Sequence, residues 1–101
     1  MRYLTGTTAI FSWMSTGDIQ EYRVYMVDEN GTHTATNQTI ATSQTVDLSG
    51  FAPGSYRIYV GAVPVGATSD DDIVWASSAF SIAANGAEAY AETEGNITVQ
   101  P

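Results

Sequence analysis

The chain contains no cysteine and no lysine in 101 residues. Without cysteine no disulfide can staple the fold, which fits a bacterial or archaeal surface protein or a phage protein better than a disulfide-bonded animal ectodomain. Without lysine, a Lys–Asn isopeptide cross-link of the kind found in some bacterial pilins is impossible. Positive charge is confined to Arg2, Arg23 and Arg57 against eleven acids, giving a net charge of −8. Such a surface repels phosphate backbones and anionic lipid, so nucleic acid and membrane surfaces are not expected as partners. Its simplest role is solubility. No run approaches the roughly 18 apolar residues of a membrane span, so no membrane insertion is expected. Met1 to Gly6 also lacks the apolar stretch of a secretory signal, so either an export signal lies outside this sequence or the protein is not exported by that route.

What remains is enough for one domain with one core. Apolar residues make up 44% of the chain and aromatics 11%, which argues against disorder. The dominant hydrophobic period is two, and no segment reads as an amphipathic helix. Ala9, Phe11 and Trp13 share one face of a strand. So do Tyr22, Val24 and Met26, and, further on, Tyr56, Ile58, Val60 and Ala62. Val46 and Leu48 form the inward side of a short strand. Asp28-Glu29-Asn30-Gly31 predicts a hairpin turn, because Asn-Gly accepts the positive φ that tight turns need. Thr32 to Ser43 is almost wholly Thr, Ala, Asn and Gln and reads as a weak edge strand and loop. Pro64 to Asp72 reads as a long loop before a last strand over 73–82, with Phe80 and Ile82 inward.

The most specific stretch is Val46 to Ala62, two alternating strands joined by the corner Phe51-Ala52-Pro53-Gly54 with Tyr56 beyond it. At such a corner a buried tyrosine anchors the crossover between sheets through its hydroxyl. With these residues in place, the chain resembles a fibronectin type III domain over roughly residues 5 to 83. The family's strand tryptophan is matched by Trp13, and its Tyr-x-Val pair by Tyr22 and Val24. Leu48, Phe51, Pro53, Gly54, Tyr56, Ile58, Val60 and Ala62 match its corner and following strand. The Pro-Gly to Tyr spacing is one residue shorter than in the family, and the first strand begins too close to Met1. The resemblance implies an all-β, immunoglobulin-like / fibronectin type III-like antiparallel β-sandwich of about seven strands, occupying residues 1–83. Gly61 to Ala67, ahead of a last strand carrying Trp75, is similar to repeats in large bacterial surface proteins. The implied role is a spacer, adhesion or binding module that is not an enzyme.

Candidate sites are sparse. His33 is the only histidine, and without partners at defined spacing it reads as a surface loop residue, not a catalytic base or metal ligand. Asp70-Asp71-Asp72 could offer oxygens to Ca²⁺, but adjacent residues point apart and the spaced Asp-x-Asp-x-Asp-Gly loop is missing. A solvated loop is expected there, with no metal and no cofactor. Tyr25 and Tyr59 are expected to face outward on one sheet with Trp75 near the long loop. They could form a sugar-stacking platform, or else sit half-buried at edges. Asn30, Asn37 and Asn96 each begin an N-glycosylation triplet.

Residues 84–101 read as a linker followed by a short strand, with Asn96, Ile97, Thr98 and Val99 its candidate assembly residues. An isolated strand is not stable, so this one must pair with something. It could open a following module, fill its own domain's edge, or insert into an identical subunit and build a head-to-tail fibre. The sequence therefore predicts a non-catalytic structural or interaction module of an extracellular, cell-surface or virion protein. Its partner would be a neighbouring module or identical subunit, with carbohydrate binding to a polysaccharide as the alternative.

Overall fold

In the computed structural model, which describes residues 2–84 and 94–98, two β-sheets lie face to face. The strands are β1 (Arg2–Leu4), β2 (Thr8–Met14), β3 (Ile19–Asp28), β4 (His33–Thr39), β5 (Ser43–Asp47), β6 (Gly54–Pro64), β7 (Val74–Ala83) and β8 (Glu94–Thr98). The larger sheet runs β1-β7-β6-β3-β4 and the smaller β5-β2-β8. Neighbours are antiparallel except at two edges, where β1 runs parallel to β7 and β8 parallel to β2. The all-β, two-layer expectation matches this architecture. Among the described residues there are eight strands, the short β1 and β8 each capping a sheet edge.

The period-two pattern sorts side chains as the sequence predicts. Ala9, Phe11 and Trp13 of β2 are buried, as are Tyr22, Val24 and Met26 of β3 and Tyr56, Ile58, Val60 and Ala62 of β6. Phe11 from the smaller sheet meets Phe80 from the larger at a ring separation of 5.2 Å. Tyr3 closes the group with edge contacts of 5.6 Å to Phe11 and 5.8 Å to Phe80. Each fully buried large side chain contributes about 1.5–3 kcal/mol relative to exposure, so this inter-sheet layer, not local propensity, holds the sheets together. Tyr3 was not expected in the core. A three-residue strand is too short for periodicity to reveal, and its partner β7 lies almost the whole chain away.

Two local devices set the strand ends. In the β3–β4 turn Asp28 Oδ1 accepts the backbone N–H groups of Asn30 and Thr32, each at 2.9 Å, and Gly31 takes φ 83°. At the corner, β5 stops at Asp47, whose carboxylate accepts the Ser49 N–H at 2.9 Å and caps a single 3-10 turn at Leu48–Gly50. Leu48 is therefore inward on a turn and not on a strand. The Asp47 side chain offers the backbone a local partner that competes with the sheet ladder. The Tyr56 hydroxyl donates to the Ala52 carbonyl at 2.6 Å, and its ring stacks on Phe80 at 5.5 Å. The anchoring bond expected of Tyr56 is present.

Candidate functional site: a terminal-strand seam and an aromatic face

The first site is the seam between β2 and β8. The register pairs Ile10 with Glu94, Phe11 with Gly95, Trp13 with Ile97 and Met14 with Thr98. Directly paired residues share a face, so Gly95 and Ile97 join Phe11 and Trp13 on the inward side. Ile97 is only 4% exposed. Of the partners open to this strand, the structure pairs it with β2 of its own chain. Asn96 and Thr98 are placed by their backbone in β8, and Val99 lies outside the described residues, as does the linker beyond Ala84. Trp13 meets the Tyr22 ring edge-on at 5.9 Å, and the Tyr22 hydroxyl shares a 2.7 Å hydrogen bond with Ser15 Oγ. The Trp13 indole nitrogen is buried and has no hydrogen-bond partner among the described residues. Leaving such a donor unmade costs about 1–3 kcal/mol.

The second site is the outer face of the larger sheet, where Tyr25, Tyr59 and Trp75 come together. Tyr25 and Tyr59 are register partners on β3 and β6, and their rings stack at 4.7 Å and 8°. His33 covers the other side of Tyr25 at 4.7 Å and 6°. These separations equal the spacing of adjacent strands, about 4.7–4.9 Å, so the three rings stand side by side on neighbouring strands. Trp75 meets Tyr25 at 5.4 Å and 72° and is 44% exposed. Its ring occupies the space over Gly61. A Cβ there would lie 2.7 Å from Ile73 Cγ2 and 2.8 Å from Trp75 Cζ3, so only glycine leaves room for both. Burial, and then the neighbouring Tyr59 phenol, push the Tyr25 hydroxyl above its ordinary pKa.

His33 corrects the sequence reading. It opens β4 instead of sitting alone in a loop, and a register shift at Met26/Val27 sets it opposite Val27. No spacing rule reveals this, because the irregularity belongs to the pairing. With His33 on one side and Tyr59 on the other, both faces of Tyr25 are taken. A flat platform made from all three expected rings is therefore not formed, and Trp75 is the exposed ring of the group.

The remaining candidates are placed plainly. Asn30 is exposed in the β3–β4 turn, whereas the backbones of Asn37 and Asn96 lie within β4 and β8. Asp70–Asp72 form one 3-10 turn. Asp72 Oδ2 accepts the Thr68 N–H at 2.9 Å and its hydroxyl at 3.3 Å, and backbone donors from Thr68 and Ser69 hold its carboxyl below the usual range. Asp70 pairs with Arg23 at 3.2 Å, and Arg23 also binds Glu21 at 3.2 Å. Among the described residues no three acidic or histidine side chains converge as metal ligands.

No protein-family model matches the chain, and no curated protein matches it. A crystal structure of a protein from Bacteroides eggerthii, proposed to act in cell adhesion, is similar over 95% of this chain and 40% of its own. The identity is 14% and the TM-score 0.39. This chain thus spans less than half the length of that protein.

Proposed function

We propose that the chain is a fibronectin type III-like, immunoglobulin-like module with a non-catalytic structural or interaction role in an extracellular, cell-surface or virion protein. In this reading its terminal strand is the assembly element. The observation that carries the proposal is β8, a five-residue strand bound along one edge of the smaller sheet, with Ile97 buried opposite Trp13. Its in-sheet contacts are all with β2, so the seam is a groove that any copy of the same strand fits. An intramolecular strand of this kind exchanges between identical subunits without new contacts, and exchange in one direction builds a head-to-tail fibre. The Tyr56 anchor and the Trp13–Tyr22 contact support the family reading.

The experiment is removal of residues 92–101, with mass in solution and stability as readouts. The truncated chain is expected to lose stability and any higher-order assembly. A synthetic peptide of those ten residues is expected to restore the stability when added in trans. Unchanged mass and stability after truncation refute the proposal.

A second reading, polysaccharide binding, rests on Trp75, the exposed ring beside Tyr25 on the outer face of the larger sheet. It is tested by titrating polysaccharides against tryptophan emission. A bound sugar must alter the Trp75 signal, and Trp75→Ala must abolish the change.

A further inference from the structure

Four strands bound the two sheets, and they are not equally protected against a foreign strand. Exposed edges are templates for pairing, and proteins blunt them with short strands, charge, proline or bulges. β1 has three residues. β5 has five and ends on Asp47. β8 has five and begins on Glu94. β4 has seven, His-Thr-Ala-Thr-Asn-Gln-Thr, without an acid, lysine, arginine, proline or glycine. Its pairing with β3 is regular from Tyr22 opposite Thr39 to Met26 opposite Ala35, and the one register shift lies at the His33 end. Among the described residues no further strand lies beside it.

Charge selects the occupant. The chain carries −8 overall, yet Thr32 to Ser43 holds no Asp, Glu, Lys or Arg. Two copies repel each other over most of their surfaces, and the cost of approach is lowest along this uncharged edge. A basic partner would instead be steered toward the acidic turns at Asp28–Glu29 and Asp70–Asp72. We propose that β4 is a self-association edge. Two copies pair β4 with β4, antiparallel about a two-fold axis, and join their five-stranded sheets into one. Such a contact is isologous and closes at the dimer, unlike the open series that exchange of β8 would build. It uses neither β8 nor the β2 groove, so it stands or falls independently of the proposed strand exchange.

The test is sedimentation of the full chain over a concentration series, with hydrogen exchange of residues 33–39 followed in parallel. The expected result is a monomer–dimer equilibrium in which β4 amides gain protection as concentration rises. The double substitution Thr36→Lys, Gln38→Lys is expected to weaken the dimer at least about tenfold, because like charges facing across strands repel. It brings the net charge from −8 to −6, so a loss of association cannot come from greater overall repulsion. Because position 38 lies opposite Arg23 within the β3–β4 pair, the single variant Thr36→Lys separates this effect from misfolding: it is expected to weaken the dimer with an unchanged urea midpoint for the monomer. A chain that stays monomeric throughout overturns the proposal. So does association that survives the double substitution, or β4 exchange that ignores concentration.

Discussion

Truncating Ile97 to alanine measures whether β8 belongs to the folded core. Ile97 is 4% exposed and sits against Trp13. Removing the buried atoms of an isoleucine typically costs about 2–5 kcal/mol, the larger values arising where the surroundings cannot collapse. β8 is an edge strand with one neighbour, so the site relaxes easily and the lower half of that range applies, about 2–3 kcal/mol. For a domain of this size each kcal/mol corresponds to about 4–8 °C, giving a fall in Tm on the order of 10–20 °C. The comparison is Ile40→Ala. Ile40 is 84% exposed in the loop after β4, and its truncation should stay within about 0.5 kcal/mol. Urea unfolding followed by tryptophan emission suits both, since Trp13 reports on the seam. If β8 detaches altogether in the Ile97 variant, the m-value also falls, because the folded state then already exposes surface. Equal, small effects for the two isoleucines would refute the reasoning and remove β8 from the core.

Three further outcomes are expected. Tyr56→Phe deletes the 2.6 Å bond to the Ala52 carbonyl while keeping the ring, and should cost about 0.5–1.5 kcal/mol in urea unfolding. Gly61→Ala sets a methyl within 2.8 Å of the Trp75 ring. An overpacking cost of about 1–3 kcal/mol outweighs the roughly 0.4–1 kcal/mol gained by stiffening the unfolded chain, so calorimetry should record net destabilisation with altered Trp75 emission. The Asp47 and Asp72 carboxyls are held below their unfolded value of 3.8 by backbone donors, so their stabilisation is present above that pH and lost as pH falls through the lower folded values. The Tm difference between the native chain and Asp47→Ala or Asp72→Ala should therefore be full at pH 6 and shrink steadily below about pH 4.

Much of this architecture is readable in the chain because its signals are local and repeated. Tyr22, Val24 and Met26, like Tyr56, Ile58 and Val60, declare their inward face through alternation alone. Asp28 to Gly31 declares its turn through side-chain chemistry. What escapes the sequence is pairing across long separations. Tyr3 carries no pattern around it, and Ile97 stands with Val99 in an otherwise largely polar tail, so neither Tyr3 nor Ile97 names its partner. The stack of His33 on Tyr25 depends on a register shift, and the fit of Trp75 over Gly61 depends on which residues of β6 and β7 are opposed. The outward placement of Tyr25 and Tyr59 on one sheet is legible from strand faces. That Tyr25 has both faces covered is not.

The two parallel edges also bear on how the chain is made. Loop-closure entropy must be overcome before distant strands reward their pairing, and both β1–β7 and β2–β8 pair segments far apart in sequence. During synthesis the hairpin of β3 and β4 and the pairing of β3 with β6 can form while the ribosome is still working. β2 (Thr8–Met14) is synthesised well before its second neighbour β8 (Glu94–Thr98). Until β8 is made, the side of Trp13 that Ile97 covers therefore waits exposed, and among the described strands this seam is the last that can close.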